Sequence, residues 1–438
     1  MNYITKKILL PVVDKFISNG VLENVELIKH EISKTEEEIQ RSQIEKLRIL
    51  LLHSKRNSGY YKNVLPGENT IINDDPTEII KLIPLLTKSM IKENEAGLLT
   101  QNKKKLLKNA SSGSTGFRTE VYWSKREQSI NRATQLLWWQ WAGYQIGDPI
   151  LQTGITPNRR VFKRLKDYIF NTYYLQAFSH SESEIKGALD WCNSQDAKVF
   201  LAGYASSLYA LTEFANEMTT FHSAVSWGDK LFDHYRVSIK EKFKCSVYET
   251  YGSAEGLMIG AQKDLDYMYL MSPNVYLEIL DDHGSPVADG ELGDIYVTNL
   301  NALSMPLIRY RIGDLGILLP REKYPNSRSL NLPLIQKIIG RDSDVVRTAG
   351  GKILVVHSFT GYFEHVDAIK QFQIVQRDLS GFVVRYISSK EFNDIEIEKM
   401  RFELMELFGE KLIIEFEEVS FIPNSPSGKP QLIVHQNN

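Results

Sequence analysis

The sequence predicts an α/β fold in two parts. A large N-terminal domain of layered sheets and helices, with a small barrel-like subregion, covers residues 1–340, and a small α+β domain covers 341–438. Three observations carry this. Strand and helix patterns alternate from about residue 120 to about 300, the order that builds parallel sheet covered by helices. After Tyr269 the alternation gives way to short strands joined by DG and GD turns, the chemistry of antiparallel or barrel structure. From about residue 341 the chain has its own strand and helix pattern, with length enough for a separate core.

The elements follow in order. Residues 21–57 carry Leu22, Val25, Ile28, Ile32 and Ile39 at helical intervals among charges, so this stretch reads as helix. A proline-marked turn and the lysine-rich stretch Lys103 to Lys108 come next, the latter a solvated face. The loop SSGSTGFRTE (111–120) leads into the strand VYW and a helix over 126–142. Gly147-Asp148 turns the chain into the strand PILQTGI. VFLAGY, VSWG and CSVYETYG are the next strands, with helices between them. YLEILDDHGSPVADGELGDIYVTNL then reads as short strands and turns. In the last segment FQIVQ, FVVRYIS and LIIEFEEVSF alternate as strands do, and 394–408 is an amphipathic helix.

Composition narrows the function. The chain is 42% hydrophobic and 24% charged, as an ordinary globular protein is. At 438 residues it exceeds one compact core. A formal net charge of −2 gives no global basic field, which argues against a nucleic-acid partner. The cysteines, Cys192 and Cys245, lie far apart without metal-ligand spacing, so neither a disulfide framework nor a zinc knuckle is expected and a cytoplasmic setting fits. The opening residues place Lys6 and Lys7 ahead of a short apolar run that Pro11 and Asp14 interrupt. They read as an amphipathic helix on the body, with membrane contact at most peripheral.

Five segments carry candidate chemistry. In SSGSTGFRTE, glycines let the backbone approach a ligand while hydroxyls and free N–H groups can wrap phosphate oxygens; it lacks the GK[ST] ending of a Walker loop, and it also reads as a surface turn. In YETYGSAEG (248–256) an aromatic face can lie beside a base, with Glu255 near a metal or phosphate; a strand end running into a turn is the plainer reading. In GELGDIYVTNLNALSMPLIRYRIGDLG (290–316), Asp314 follows a glycine at the end of an expected strand, where a carboxylate can bind a diol, or a hairpin can simply turn. IIGRDSDVVRTAGGKIL (338–354) is a charged, glycine-rich connection. NSPSGKPQL (424–432) sets Lys429 in a polar loop, where a lone lysine is ordinarily solvated.

In this order and spacing the five segments resemble the adenylate-forming superfamily of acyl-CoA synthetases, luciferases and peptide-synthetase adenylation domains. They look most like its phenylacetate-CoA ligase branch, including capsular polysaccharide biosynthesis relatives. The resemblance runs from about residue 80 to the C-terminus and is closest in PLIRYRIGDLG and YGSAEG. It implies an adenylation domain followed by a small mobile domain. It further implies activation of a carboxylic acid as an acyl-adenylate with ATP and Mg²⁺, and CoA as the default co-substrate.

By the same resemblance, Ser112, Gly113, Ser114, Thr115 and Gly116 hold the ATP phosphates. Tyr251, with Gly252 and Ser253 after it, meets the adenine, and Glu255 helps hold Mg²⁺. Asp314 bonds the ribose and Arg341 contacts the nucleotide. Lys429 is the catalytic lysine of the adenylation step, Gly350 lines the CoA path, and the hinge falls at Ser343.

The chain departs from the family pattern in four places. Arg118 and Thr119 follow Phe117 where Pro-Lys is usual. Ala254 stands where a hydroxyl residue normally precedes the metal-binding glutamate. Ser343, beside Asp344, replaces the usual hinge residue, and a common Gly-Glu reads Gly228-Asp229. The acceptor stays open between the CoA thiol and an amine, for instance on a sugar. The basic stretch 157–168 is either an anion-binding surface or an exposed helix face, and Trp138, Trp139 and Trp141 either line an acyl pocket or pack a helix core. A catalytically silent scaffold is the reading that Ala254 and Ser343 favour.

Overall fold

The computed structural model describes residues 20–110, 120–154, 167, 170–177, 182–341, 345–350, 353–355, 359, 362, 363, 366, 368–389, 392–408, 411–423 and 431–435. The chain divides into two compact units. The first takes the described residues up to Ile312 and Ile317–Lys337; the second takes Gly313–Gly316 and the described residues from Ile338 onward.

Residues 21–57 form two helices, Val21–Ile32 and Glu36–Asn57, rather than one. The break has a local cause. Thr35 accepts a hydrogen bond from Glu38 N, and the Glu38 carboxylate accepts from Thr35 N, a reciprocal cap that starts a new helix. Val21, Val25, Ile28 and Ile32 recur at three- and four-residue steps and are buried against Ala133, Leu137 and Trp138 of the helix Lys125–Trp141. Trp138 is therefore core, and Trp139 packs on Phe200 and Trp227 in a second cluster.

The strands are β1 (Leu107–Ala110), β2 (Glu120–Trp123), β3 (Ile150–Gly154), β4 (Thr172–Gln176), β5 (Val199–Tyr204), β6 (Phe221–Trp227), β7 (Ser246–Ser253), β8 (Leu257–Ala261), β9 (Met268–Leu270), β10 (Val275–Leu280), β11 (Gly293–Asn299), β12 (Tyr310–Leu318) and β13 (Leu334–Arg341). Apart from the β1–β2 hairpin they form an 11-stranded sheet in the order β10-β11-β12-β13-β9-β8-β7-β6-β5-β3-β4. From β4 to β7 the pairs are parallel; β7–β8, β8–β9, β9–β13 and β10–β11 are antiparallel. The turn-rich strands expected to make a barrel-like subregion thus form the antiparallel half of the same sheet.

In the parallel half, β5 is apolar throughout, and its surroundings show why. Val199 and Leu201 face one cluster, with Leu208, Leu211, Ile239 and Phe243 from two helices; Phe200 and Ala202 face the other, with Tyr144 and Val225. A strand covered on both faces has no polar side to show.

The second unit carries β16 (Ile369–Asp378), β17 (Gly381–Ser388), β18 (Ile413–Glu418) and β19 (Ile433–His435) in the order β18-β17-β16-β19, after the short pair β14 (Val345–Arg347) and β15 (Ile353–Val355). The helix Asp394–Phe408 links β17 to its parallel neighbour β18 and buries Met400, Leu404 and Phe408, one helical turn apart. No helix among the described residues is long and apolar enough to cross a membrane.

Candidate active site

β7 ends in Tyr251, Gly252 and Ser253, and the chain returns into β8 through Ala254, Glu255 and Gly256. Gly256 N donates to Ser253 O at 3.1 Å, closing the turn. Gly256 has φ +83°, and a Cβ there would lie 2.5 Å from Trp123 Cζ2, so only glycine fits. The register slips between Tyr251 and Gly252, a bulge of the kind that re-aims a strand end. Two asparagines hold the carbonyls on either side of Glu255: Asn109 Nδ2 donates to Ala254 O, and Asn299 Nδ2 donates to Gly256 O at 3.3 Å.

Glu255 is only 4% exposed. Its Oε1 accepts the Tyr310 hydroxyl at 2.9 Å, and Tyr310 is completely buried. Among the described residues the other carboxylate oxygen takes no hydrogen bond. Ser253 Oγ, two residues earlier, is buried and likewise has no partner among the described residues. A buried oxygen left unmet costs about 1–3 kcal/mol, so its persistence calls for a reason, and a ligand that meets it is one.

Tyr310 opens β12, and the residue before it anchors the segment. Arg309 has φ +52°, the left-handed region that side-chain-bearing residues seldom enter. It is held there by its side chain. Nε meets both oxygens of Glu278 at 3.1 Å, Nη2 meets Oε1 at 2.9 Å, and Nη1 donates to Lys81 O and Ile83 O, each at 3.0 Å. Burial pushes the Glu278 carboxyl up, and the hydrogen bonds and charge of Arg309 oppose that rise. Arg311 Nη2 donates to the buried Asp294 at 2.8 Å, so the aspartate of GELGD is an ion-pair partner within the sheet.

Asp314 is half-buried and lies inside β12, not at a strand end as its sequence context predicts; the strand runs on to Leu318. Gly313, inside the same strand, has φ +86°, a conformation that glycine adopts at little cost.

The remaining expected site residues fare as follows. Arg341 is the last residue of β13, and Gly350 lies in an exposed turn. Ser112, Gly113, Ser114, Thr115, Gly116, Arg118, Thr119, Ser343, Asp344 and Lys429 lie outside the described residues, as does the basic stretch 157–168 apart from Asp167.

Gly228-Asp229 has a structural use. The Asp229 carboxylate accepts Ala205 N at 2.6 Å, Ser206 N at 3.1 Å and the Ser206 hydroxyl, capping the helix Ala205–Thr212 from the next strand over. Cys192 and Cys245 are buried, and burial pushes both thiols up to about 12, so neither serves as a nucleophile near neutral pH. Among the described residues no three His, Cys, Asp or Glu side chains gather as a metal cluster. One carboxylate with an open oxygen suits a hard cation carried in chiefly by phosphate oxygens, which is how magnesium commonly binds.

Residues 345–436 match the CapK C-terminal domain family. CapK of Staphylococcus aureus is 25% identical over 397 residues, spanning 87% of this chain and 86% of that protein. Phenylacetate-coenzyme A ligase of Pseudomonas putida is 31% identical over 132 residues, 29% of this chain and 28% of that enzyme. The fold matches 2-hydroxyisobutyryl-CoA ligase in its postadenylation state with TM-score 0.72 at 15% identity, covering 93% of this chain and 92% of that one. ATP-bound MatB of Rhodopseudomonas palustris matches with TM-score 0.55 at 17% identity, covering 77% and 68%. The likeness to CapK over most of both chains, the shorter ligase segments and the shared fold together support a place for this chain in the adenylate-forming superfamily, near its phenylacetate-CoA ligase-like branch.

Proposed function

We propose that this chain is an ATP-dependent ligase that activates a small carboxylic acid as its acyl-adenylate and then passes the acyl group to the CoA thiol. The observation that carries this is Glu255: a buried carboxylate at the tip of a braced turn, with one oxygen fixed by Tyr310 and the other open.

A carboxylate resists nucleophiles because oxide is a poor leaving group, and the remedy is to exchange it for AMP. One substrate carboxylate oxygen attacks the α-phosphorus of ATP. The bond from that phosphorus to the bridging oxygen breaks, and pyrophosphate leaves with the electron pair. The barrier is chiefly repulsion between anions, so the protein's work is positioning and supply of positive charge. Magnesium, when bound, neutralises phosphate charge beside Glu255. In this proposal Ser112, Gly113, Ser114, Thr115 and Gly116 hold the phosphates. Tyr251 stacks on adenine, with Gly252 and Ser253 alongside, Asp314 bonds the ribose hydroxyls, and Arg341 contacts the nucleotide. Lys429 bridges both reactants as charge passes between them. The residues from 341 onward then rotate about a hinge at Ser343, which withdraws Lys429 and opens a path past Gly350. The thiol sulfur attacks the acyl carbon, AMP leaves with the electron pair, and the thiol proton goes to solvent.

A second reading keeps the first half-reaction and changes the acceptor to an amine. It follows from the resemblance to capsular polysaccharide biosynthesis relatives, and the match of residues 345–436 to the CapK C-terminal domain is compatible with either acceptor. Retention of Lys429, Glu255 and Asp314 speaks against a silent scaffold.

The test runs the purified protein with ATP, Mg²⁺ and a panel of carboxylic acids, following AMP and pyrophosphate and then adding CoA or amines. Acid-dependent pyrophosphate release is expected. Lys429→Ala should abolish it while ATP affinity stays within about tenfold, as befits a residue acting mainly in the transition state. A Lys429→Ala protein of undiminished activity contradicts the assignment.

A further inference from the structure

We propose that Tyr310 is a positioning residue for Glu255, and that Arg309 and Leu86 are what hold Tyr310 to that task. The inference rests on the reading of Glu255 as the carboxylate that faces metal-carrying ATP phosphates. It concerns how the carboxylate is aimed.

The terminal torsion of a glutamate is broad, so a free carboxylate has no single orientation. One hydrogen bond from a fixed donor supplies one. Tyr310 is such a donor, since its ring is completely buried and its hydroxyl lies 2.9 Å from Glu255 Oε1. The backbone on both sides of it is clamped by one residue: Leu86 N donates to Arg309 O, and Arg311 N donates to Leu86 O, each at 2.9 Å.

The segment is braced from further sides. Arg309 N donates to Thr298 Oγ1 at 2.9 Å, and Ile308 N donates to the Tyr61 hydroxyl at 3.2 Å. Every side-chain nitrogen of Arg309 is engaged as well, which stabilises a backbone conformation that is otherwise unfavourable. A tyrosine held this firmly cannot follow the carboxylate; the carboxylate must come to it. The turn that presents Glu255 is pinned independently by Asn109 and Asn299, so neither end of the pair is free to drift.

A merely structural pair would be satisfied within the core. Here Oε1 is bonded and the other oxygen takes no hydrogen bond among the described residues, beside the unmet Ser253 hydroxyl. That arrangement aims a carboxylate. Partners that orient a metal-facing group commonly change metal affinity by about 10–100-fold when removed.

The experiment measures the dissociation constant of a non-hydrolysable ATP analogue by calorimetry, with Mn²⁺ and with EDTA, on the intact protein. The readout is the ratio of the two constants, which turnover does not enter. Tyr310→Phe keeps the ring and removes the hydroxyl. It should cut the metal-dependent gain in affinity by about tenfold or more and leave affinity in EDTA within about twofold. Glu255→Gln should lose most of the gain, and Tyr310→Phe added to it should cost nothing further.

If Glu255→Gln loses the gain and Tyr310→Phe keeps it, the positioning role is overturned while the reading of Glu255 stands. If Glu255→Gln keeps the gain, the reading of Glu255 falls, and the inference with it. Should Tyr310→Phe unfold at the assay temperature, Glu255→Asp serves. One methylene shorter, it keeps the charge but withdraws from the hydroxyl. It should lose the gain as Tyr310→Phe would, and retention of the full gain overturns the role.

Discussion

Asp229 after β6 and Glu255 after β7 are carboxylates at the ends of neighbouring strands, each beside a glycine. Their surroundings differ. Asp229 accepts two backbone N–H groups and a hydroxyl, all from the first turn of the helix Ala205–Thr212. Glu255, more deeply buried, accepts one tyrosine hydroxyl, and its second oxygen is unbonded among the described residues. The protein consumes the first carboxylate and presents the second. Low exposure alone separates nothing here, because the Glu278 side chain is only 9% exposed and both its oxygens are engaged by Arg309. What marks the candidate site is a deeply buried carboxylate with one oxygen bonded and the other without a partner among the described residues, two residues from the unmet Ser253 hydroxyl.

Substitutions that empty a consumed carboxylate should cost stability, and the largest cost should fall where the charge is most buried. Arg309→Met strands Glu278 without its partner and should destabilise by about 3–5 kcal/mol, read as a shift of the urea midpoint. A shift under about 1 kcal/mol would mean the pair is not an anchor. Asp229→Ala removes a helix cap and should cost about 1–2 kcal/mol on the same scale. If it costs nothing, Asp229 is not held by its helix, and the contrast with Glu255 fails.

The smallest effect belongs to the exposed cap. Donation from Thr35 N, then from its hydroxyl, holds the Glu38 carboxyl below its ordinary value. A depressed folded value means this cap contributes stability above the unfolded value, about 4.3, and loses it as pH falls through the folded one. The stability difference between wild type and Glu38→Gln should therefore be present at pH 7 and shrink toward zero as pH falls through the lowered folded value. A difference that grows on acidification would reverse the assigned sign.

Much of this was legible in the sequence, and the illegible part has a physical character. β5 follows from an apolar run bounded by turn residues, and Glu255 stands out because YGSAEG is compact in sequence. The Thr35–Glu38 cap, a T-x-x-E pattern inside the stretch 21–57, was available as a signal for the break between the first two helices. Tyr310 was not available. It meets Glu255 across 55 residues, and no local pattern reports a pairing that only the folded sheet creates. The same holds for Asp229, whose helix starts 24 residues earlier. The strand around Asp314 runs past the end expected of it, because Gly-Asp is turn chemistry in isolation and Gly313 is here a positive-φ residue inside a continuing strand.

Glu255 is proposed to stand in an adenylating site. The most direct measurement is acid-dependent exchange of labelled pyrophosphate into ATP, run on wild type and Glu255→Gln side by side with melting temperatures recorded. Exchange in wild type is expected to require both the acid and Mg²⁺. Glu255→Gln should lower it by about 100-fold or more, with melting within a few degrees of wild type. Equal exchange in the two proteins, or none in wild type across a broad panel of acids, would contradict the proposal.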